Sequence, residues 1–192
     1  IYIDDVSGMV EVNDNFYTIT ALTSTTFALN INSSSFGAYT SGGNAKKVVN
    51  SSNRVMGIHR YIQQDGSKTT LAFDTERACR YSTTLDQFLP LDTAPVLDCD
   101  DTDYIWATNL QSSNIPNRLY FSNGKPYNGS TDGIRYYDGE SNGTEPFRPD
   151  LGGGRTLYGA KLLFAMRERL LAIGTYEFDG SNVTHHPQRV RW

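Results

Sequence analysis

The chain has 192 residues, a net charge of −4 and a sequence pI of about 5.3; 38% of its residues are hydrophobic, 12% aromatic and 20% charged. That length allows one or two domains with a real core, and the acidic balance argues against a nucleic-acid-binding surface, which needs a basic patch. No apolar run reaches the roughly 18–20 residues of a membrane-spanning helix.

In chain order, the first 48 residues alternate. Val10 and Val12, then Tyr17, Ile19 and Ala21, then Phe27, Leu29 and Ile31 recur at spacing two, the period of half-buried strands. Asn13-Asp14-Asn15 and Thr23-Ser24-Thr25 separate these runs as turns. The pattern predicts a small β-barrel module over 1–48. A polar run, Val49 to Asn53, predicts a linker over 49–54.

From residue 55 to 192 the rhythm changes. Seven dipeptides suit hairpins: Asp65-Gly66, Asn123-Gly124, Asn128-Gly129, Asp132-Gly133, Asp138-Gly139, Asn142-Gly143 and Asp179-Gly180. They predict type I′ turns and many short antiparallel strands. A weak repeat starts at Leu71-Ala72-Phe73, Leu119-Tyr120-Phe121 and Leu171-Ala172-Ile173, each followed by a loop and an Arg-aromatic pair. Spacings of 40–50 residues with several strands each are those of propeller blades. The segment Ala160 to Ile173 has an amphipathic-helix pattern. Its place in the repeat predicts a hairpin instead: a strand over Lys161–Met166, a turn at Arg167-Glu168 and a strand over Arg169–Thr175. The expected fold is all-β, a small barrel followed by an incomplete propeller-like array. Strand-like ends, Ile1-Tyr2-Ile3 and Arg189 to Trp192, add the expectation of a piece of a longer protein.

The chemistry-bearing residues converge on no reaction. Asp98, Asp100, Asp101 and Asp103 have the spacing of a calcium loop. An EF-hand would need Gly at its sixth position and Glu at its twelfth, where Asp103 and Asn109 stand; a solvated turn is expected. Asp150 to Gly159 is glycine-rich but lacks the Lys-Ser/Thr of a phosphate loop, and reads as an inter-strand loop. The three histidines are His59, His185 and His186, the last two read as an exposed polar loop; G-x-S-x-G and H-E-x-x-H are absent. The reading is non-catalytic, with no catalytic, cofactor-binding or metal-binding residue and no cofactor. Sequons at Asn32, Asn50, Asn128, Asn142 and Asn182 are ordinary in an Asn- and Ser-rich β protein. Cys79 and Cys99 have no metal-ligand spacing, leaving free thiols or a disulfide.

The stretch from Val6 to Val48, with Ser-Gly-Met, Glu-Val-Asn, Tyr-Thr-Ile and Phe-Gly-Ala-Tyr-Thr-Ser-Gly-Gly, resembles a small β module of tailed-bacteriophage tail proteins. That module is similar to the first catalytic-cysteine half-domain of ubiquitin-activating enzymes; no ubiquitin-activation residue carries over. Val55–Tyr61, Arg118–Gly124, Tyr158–Thr175 and Pro187–Trp192 are similar to the propeller-like region of the same phage tail proteins. The resemblance implies a tail hub or nozzle protein: a homo-oligomeric ring, hexameric in expectation, contacting adaptor and fibre proteins, with DNA only as passing cargo. It implies a virion tail protein assembled in the host cytoplasm, where disulfides are rare, so Cys79 and Cys99 are expected unbonded. The alternative is a carbohydrate-binding receptor-recognition domain, with Trp106, Tyr136 and Tyr137 as stacking surfaces.

Overall fold

The computed structural model describes residues 1–23, 25–46, 53–92, 94–113, 115–139 and 143–192. They fall into two compact units, Ile1–Asn50 and Ser51–Trp192. The expected linker over 49–54 lies outside the described residues except for 53 and 54.

In the first unit, β1 (Tyr2–Ser7) pairs antiparallel with β2 (Asn15–Phe16) on one side and β5 (Ser41–Lys46) on the other. A separate hairpin joins β3 (Ile19–Leu22) to β4 (Phe27–Leu29). The predicted alternation is present in part: Tyr17, Ile19, Leu29 and Ile31 are half-buried while Thr18, Thr20 and Asn30 are exposed, but Phe27 is exposed, and Val10 and Val12 lie in a 3₁₀ turn rather than a strand, with Val10 exposed. The strands do not close into a barrel. The hairpin has only four and three residues, its register breaks between Ile19 and Ala21, and it shares no ladder with the three-stranded sheet. Ile3 and Val12 form a small buried centre, and the Asn13 side chain ties the chain back, accepting from Val6 N and donating to Val6 O, both at 2.8 Å.

The second unit is a stack of three four-stranded antiparallel sheets, each strand hydrogen-bonded to the next in sequence. The first contains β6 (Gly57–Ile62), β7 (Lys68–Phe73), β8 (Ala78–Ser82) and β9 (Gln87–Pro90). The second contains β10 (Trp106–Leu110), β11 (Arg118–Ser122), β12 (Ile134–Tyr137) and β13 (Glu145–Pro146). The third contains β14 (Asp150–Gly152), β15 (Arg155–Met166), β16 (Arg169–Phe178) and β17 (Val183–Arg191). The protein is all-β; its one helical element is a 3₁₀ turn at Val10–Val12 among the described residues.

The middle sheet is covered on both faces, which explains the unbroken apolar run of β11. Because successive side chains of a strand point to opposite faces, Leu119 and Phe121 enter one core with Tyr61, Leu71, Phe73, Leu97 and Tyr137. Tyr120 enters the other with Leu110, Ile134, Leu157, Leu163 and Ala172.

The expected hairpin at 161–175 is present, with the turn at Arg167-Glu168. The repeat is out of phase in its third copy. Leu71 and Leu119 lie on the second strand of their sheets, whereas Leu171 lies on the third strand of its own. The turn chemistry also differs from expectation. Asp132-Gly133 has both residues at positive φ (63° and 74°), but at Asp65-Gly66 and Asp179-Gly180 only the glycine does, the signature of a turn followed by a glycine bulge. Gly133 has a second constraint: a Cβ there would sit 2.8 Å from Tyr158 O.

Polar clamps hold the loops. The buried Asp132 carboxylate accepts from Asn123 Nδ2 at 2.6 Å and Asp98 N at 2.8 Å. Asp92 accepts from Thr144 N at 3.0 Å and Thr144 Oγ1 at 2.9 Å, and Arg135 donates to the same hydroxyl oxygen at 3.0 Å.

Candidate functional site

The acidic run is a self-capped turn. Asp100 Oδ1 accepts from Thr102 Oγ1 at 2.6 Å and Thr102 N at 2.9 Å, and Asp103 Oδ2 accepts from Asp100 N at 2.9 Å. The Lys125 ammonium sits in the cluster, 2.8 Å from Asp103 Oδ2, and donates to Asp98 O at 2.6 Å. The Asp103 hydrogen bond raises the Lys125 pKa. A fixed ammonium in that position disfavours a second cation. Among the described residues no group of three or more His, Cys, Asp or Glu side chains has a metal-binding arrangement.

The glycine-rich stretch is the turn between β14 and β15, with Asp150 Oδ1 accepting from Gly152 N at 2.8 Å. His185 and His186 lie in strand β17, where a loop was expected. His185 is exposed and stacks on Tyr176, with centroids 4.4 Å apart. His59, on β6, has its pKa lowered by burial, and its Nε2 is 3.3 Å from Asn109 Nδ2. The three aromatics considered for sugar stacking are divided. Tyr137 is buried in the first core against Tyr61, Tyr136 lies under the Arg118 guanidinium at 4.1 Å, and Trp106 stands half-exposed on β10. Of the sequons, Asn50 and Asn142 lie outside the described residues, and the Asn128 amide is spent within its turn, donating to Thr131 Oγ1 at 2.7 Å.

Cys79 and Cys99 are free thiols, as expected. Burial pushes each up to about 11. Against an ordinary thiol value near 9, this cuts the thiolate fraction at pH 8 by about 100-fold. Both are expected to react with a disulfide reagent about 100-fold more slowly in the folded chain than in denaturant, where two thiols are titrated. Native reactivity within about 3-fold of the denatured rate would contradict the burial described here.

The densest ionic cluster is one the sequence reading missed. Glu177, on β16, has its side chain almost wholly buried, 2% exposed. Its Oε1 accepts from Arg191 Nε at 2.9 Å and Thr175 Oγ1 at 3.1 Å. Its Oε2 accepts from Arg189 Nη1 at 2.8 Å and Arg191 Nη2 at 3.0 Å. Arg155 Nη1 and His186 Nε2 approach Oε2 to 3.9 and 3.8 Å. Burial raises the Glu177 pKa, but the Arg191 and Thr175 hydrogen bonds and the charges of Arg191 and Arg189 outweigh it, giving a value of about 2. A carboxylate so saturated is a fixed anion, unsuited to proton transfer near neutral pH. The available signal was Arg189-Val190-Arg191, two cations on one face of a strand.

Beside this cluster, between the second and third sheets, lies a cleft of about 410 Å³. Leu110, Tyr120, Phe147, Leu157 and Leu170 supply an apolar lining, and Arg118, Arg169 and Arg191 supply charge, with Asp150 and Glu168 also present. Its size falls in the range of small-molecule sites.

Among known proteins, no curated sequence and no solved structure matches the chain. Residues 1–49 match the family model of the Ubiquitin-activating enzyme E1 FCCH domain, so the likeness expected for Val6 to Val48 extends over the N-terminal unit, which is similar to that domain.

Proposed function

We propose that the chain is a structural component of a bacteriophage tail, a hub or nozzle subunit that assembles into a ring around the DNA-ejection conduit. The observation that supports this reading is the stack of sheets in the second unit, whose two outer faces carry large apolar side chains, interspersed on the first sheet with Arg60, Lys68 and Thr70. On the third sheet, Leu162 pairs with Ile173, Ile173 with Val190, and Phe164 with Leu171, all on the face opposite the core residues Leu163 and Ala172. Phe164 is 57% exposed. On the first sheet, Ile58, Tyr81 and Phe88 occupy the face opposite Leu71 and Phe73. Large apolar areas on a sheet face mark interaction surfaces. The occupant we assign is a second copy: the third sheet of one subunit meets the first sheet of the next, continuing the face-to-face packing already present within the chain. Such a contact is heterologous, and it closes into a ring when its rotation permits. The N-terminal likeness to the E1 FCCH domain fits the small β module of the phage proteins, and the acidic balance suits a wall that does not retain DNA.

Sedimentation of the chain over a range of concentrations, with electron microscopy of the associated fraction, tests this. Ring-shaped oligomers are expected for the wild type, and Phe164→Glu is expected to leave monomers with unchanged β-sheet circular dichroism. A wild-type chain that stays monomeric at every concentration, or a Phe164→Glu variant that still forms rings, would overturn the proposal. Trp106, Tyr136 and Tyr137, the aromatics of the carbohydrate-binding alternative, lie in different surroundings and form no common stacking surface.

A further inference from the structure

We infer that the cleft between the second and third sheets is a binding site for a small carboxylic acid with an aromatic or branched apolar body, and that Arg118 grips its carboxylate. The inference goes beyond the ring proposal and does not depend on it, since binding can be read in any oligomeric state.

Three observations converge. The first is the state of Arg118. Its guanidinium carbon lies over the Tyr136 ring, 4.1 Å from the centroid, so the ring backs the group. One outer nitrogen, Nη1, reaches Tyr120 OH at the long distance of 3.5 Å. Nε is buried and donates to no acceptor among the described residues. The two outer nitrogens of a guanidinium also form a fork of N–H donors, and a carboxylate meets such a fork with both oxygens.

The second is charge. Counting the cleft, the ionic cluster beside it and the Asp138 carboxylate near Arg118, five cations, Arg118, Arg155, Arg169, Arg189 and Arg191, stand against Asp138, Asp150, Glu168 and Glu177. Five cations to four anions leave a surplus of one positive charge. The chain as a whole carries −4, so this is a local inversion of sign. Glu177 occupies Arg189 and Arg191 directly, and Asp150 caps its own turn. Arg118 therefore has donor capacity to spare.

The third is shape. The lining beside the arginine is Leu110, Tyr120, Phe147, Leu157 and Leu170. Tyr120 and Phe147 meet edge to face with centroids 5.0 Å apart, so this wall is rigid and aromatic. A simple phosphate or sulfate would leave it uncovered. An acid with a ring or branched chain covers it and places its charge at the arginine. The cleft volume of about 410 Å³ suits a molecule of small-ligand size rather than a long segment of another protein.

The test is an NMR titration of the isotope-labelled chain with 3-phenylpropionate, reading the Arg118 Nε–H resonance and the amides of β11 and β15. Its uncharged isostere, 3-phenylpropionamide, is titrated in parallel. Saturable shifts with the acid are expected, at least about 10-fold tighter than with the amide, since a bidentate charged pair is lost in the latter. Arg118→Lys, which keeps the charge but not the fork, is expected to weaken the acid about 10-fold with the fold intact by its amide spectrum. Arg80→Gln, on the first sheet, is expected to change nothing. Equal affinity for acid and amide, an Arg118→Lys chain that binds as the wild type does, or the absence of saturable shifts would each overturn the assignment. So would saturation only by a peptide ending in phenylalanine, because the occupant would then be a protein segment.

Discussion

Replacing Glu177 by alanine is expected to destabilise the second unit by about 3–5 kcal/mol, the range for breaking a buried ion pair from one side. The carboxylate is the anion that Arg189 and Arg191 share, and it is held at the edge of the second core by Thr175, itself fully buried. Without it, two guanidinium groups about a third exposed remain beside one another. They can rotate toward water, so the lower part of the range is the better expectation. Glu177→Gln keeps the shape and one acceptor oxygen and should cost less, about 2 kcal/mol. Urea unfolding followed by tryptophan fluorescence is the measurement. Both tryptophans, Trp106 and Trp192, belong to the second unit, so the signal reports on it alone.

The same residue sets a pH dependence whose sign is fixed. Its pKa is about 2 in the folded chain against an ordinary 4.5. A depressed carboxyl favours the folded state when ionised, so its contribution is complete above pH 4.5 and is lost as pH falls through 4.5 toward 2. A shift of that size corresponds to about 3 kcal/mol. The wild type should lose this amount over that window, and Glu177→Gln should show a correspondingly flatter profile there. Parallel profiles for the two chains would show that Glu177 is not the group responsible.

How much of this was legible before the structure depends on whether the determining physics is local. The hairpin at 161–175 was readable although its hydrophobic pattern suits a helix, because a repeated strand motif outweighed the period. The two-sided burial of β11 agrees with the unbroken run Leu119-Tyr120-Phe121, although β15 carries such a run, Leu162 to Met166, with Phe164 exposed on its outer face. The turn at Arg167-Glu168 was placed correctly, but its backbone was not foreseeable: φ is 48° and 60° at residues that seldom adopt the left-handed region. The barrel failed for a related reason. Alternation fixes which side chains point inward, but not whether short strands find a ladder partner, and β3 and β4 pair only with each other.

The Glu177 cluster and the Arg118 cleft were not legible because both depend on register between distant segments. The pairing of β16 with β17 shifts between Ile173 and Thr175, where Gly174 has φ of 65°. That irregularity, with Pro187 opposite, brings both Arg189 and Arg191 to one carboxylate. Counting by twos puts both arginines on one face of β17 but does not show which carboxylate they meet. Arg118 opens β11, and its place over Tyr136 and beside the third sheet comes from pairing that spacing along the chain does not show.

Replacing Phe121 by alanine is expected to cost about 3–5 kcal/mol, the range for truncating a buried aromatic ring, and its consequences test the stacked architecture more directly than any surface change. The side chain is fully buried, and its ring lies 4.8 Å from that of Phe73, centroid to centroid, so the first and second sheets meet through this pair. The loss has two parts: the transfer energy of the ring, and the cavity left because the strand cannot collapse toward the first sheet while Tyr120 holds it to the third. Leu163→Ala, in the other core, should cost about 2–5 kcal/mol by the same reasoning. The two side chains lie on opposite sides of the middle sheet and share no core. Their costs should therefore add to within about 0.5 kcal/mol in the double variant, provided that the three sheets unfold as one unit. If the sheets unfolded separately, Leu163→Ala would move only a transition of the third sheet and leave the first core unshifted. A single unfolding transition that moves with either variant, seen alike by fluorescence and by far-ultraviolet circular dichroism, is the expected result. Two resolved transitions, each sensitive to one substitution, would instead make the middle sheet a boundary between separately folding parts, and a Phe121→Ala cost below about 1 kcal/mol would show that the first and second sheets are not joined through this ring pair.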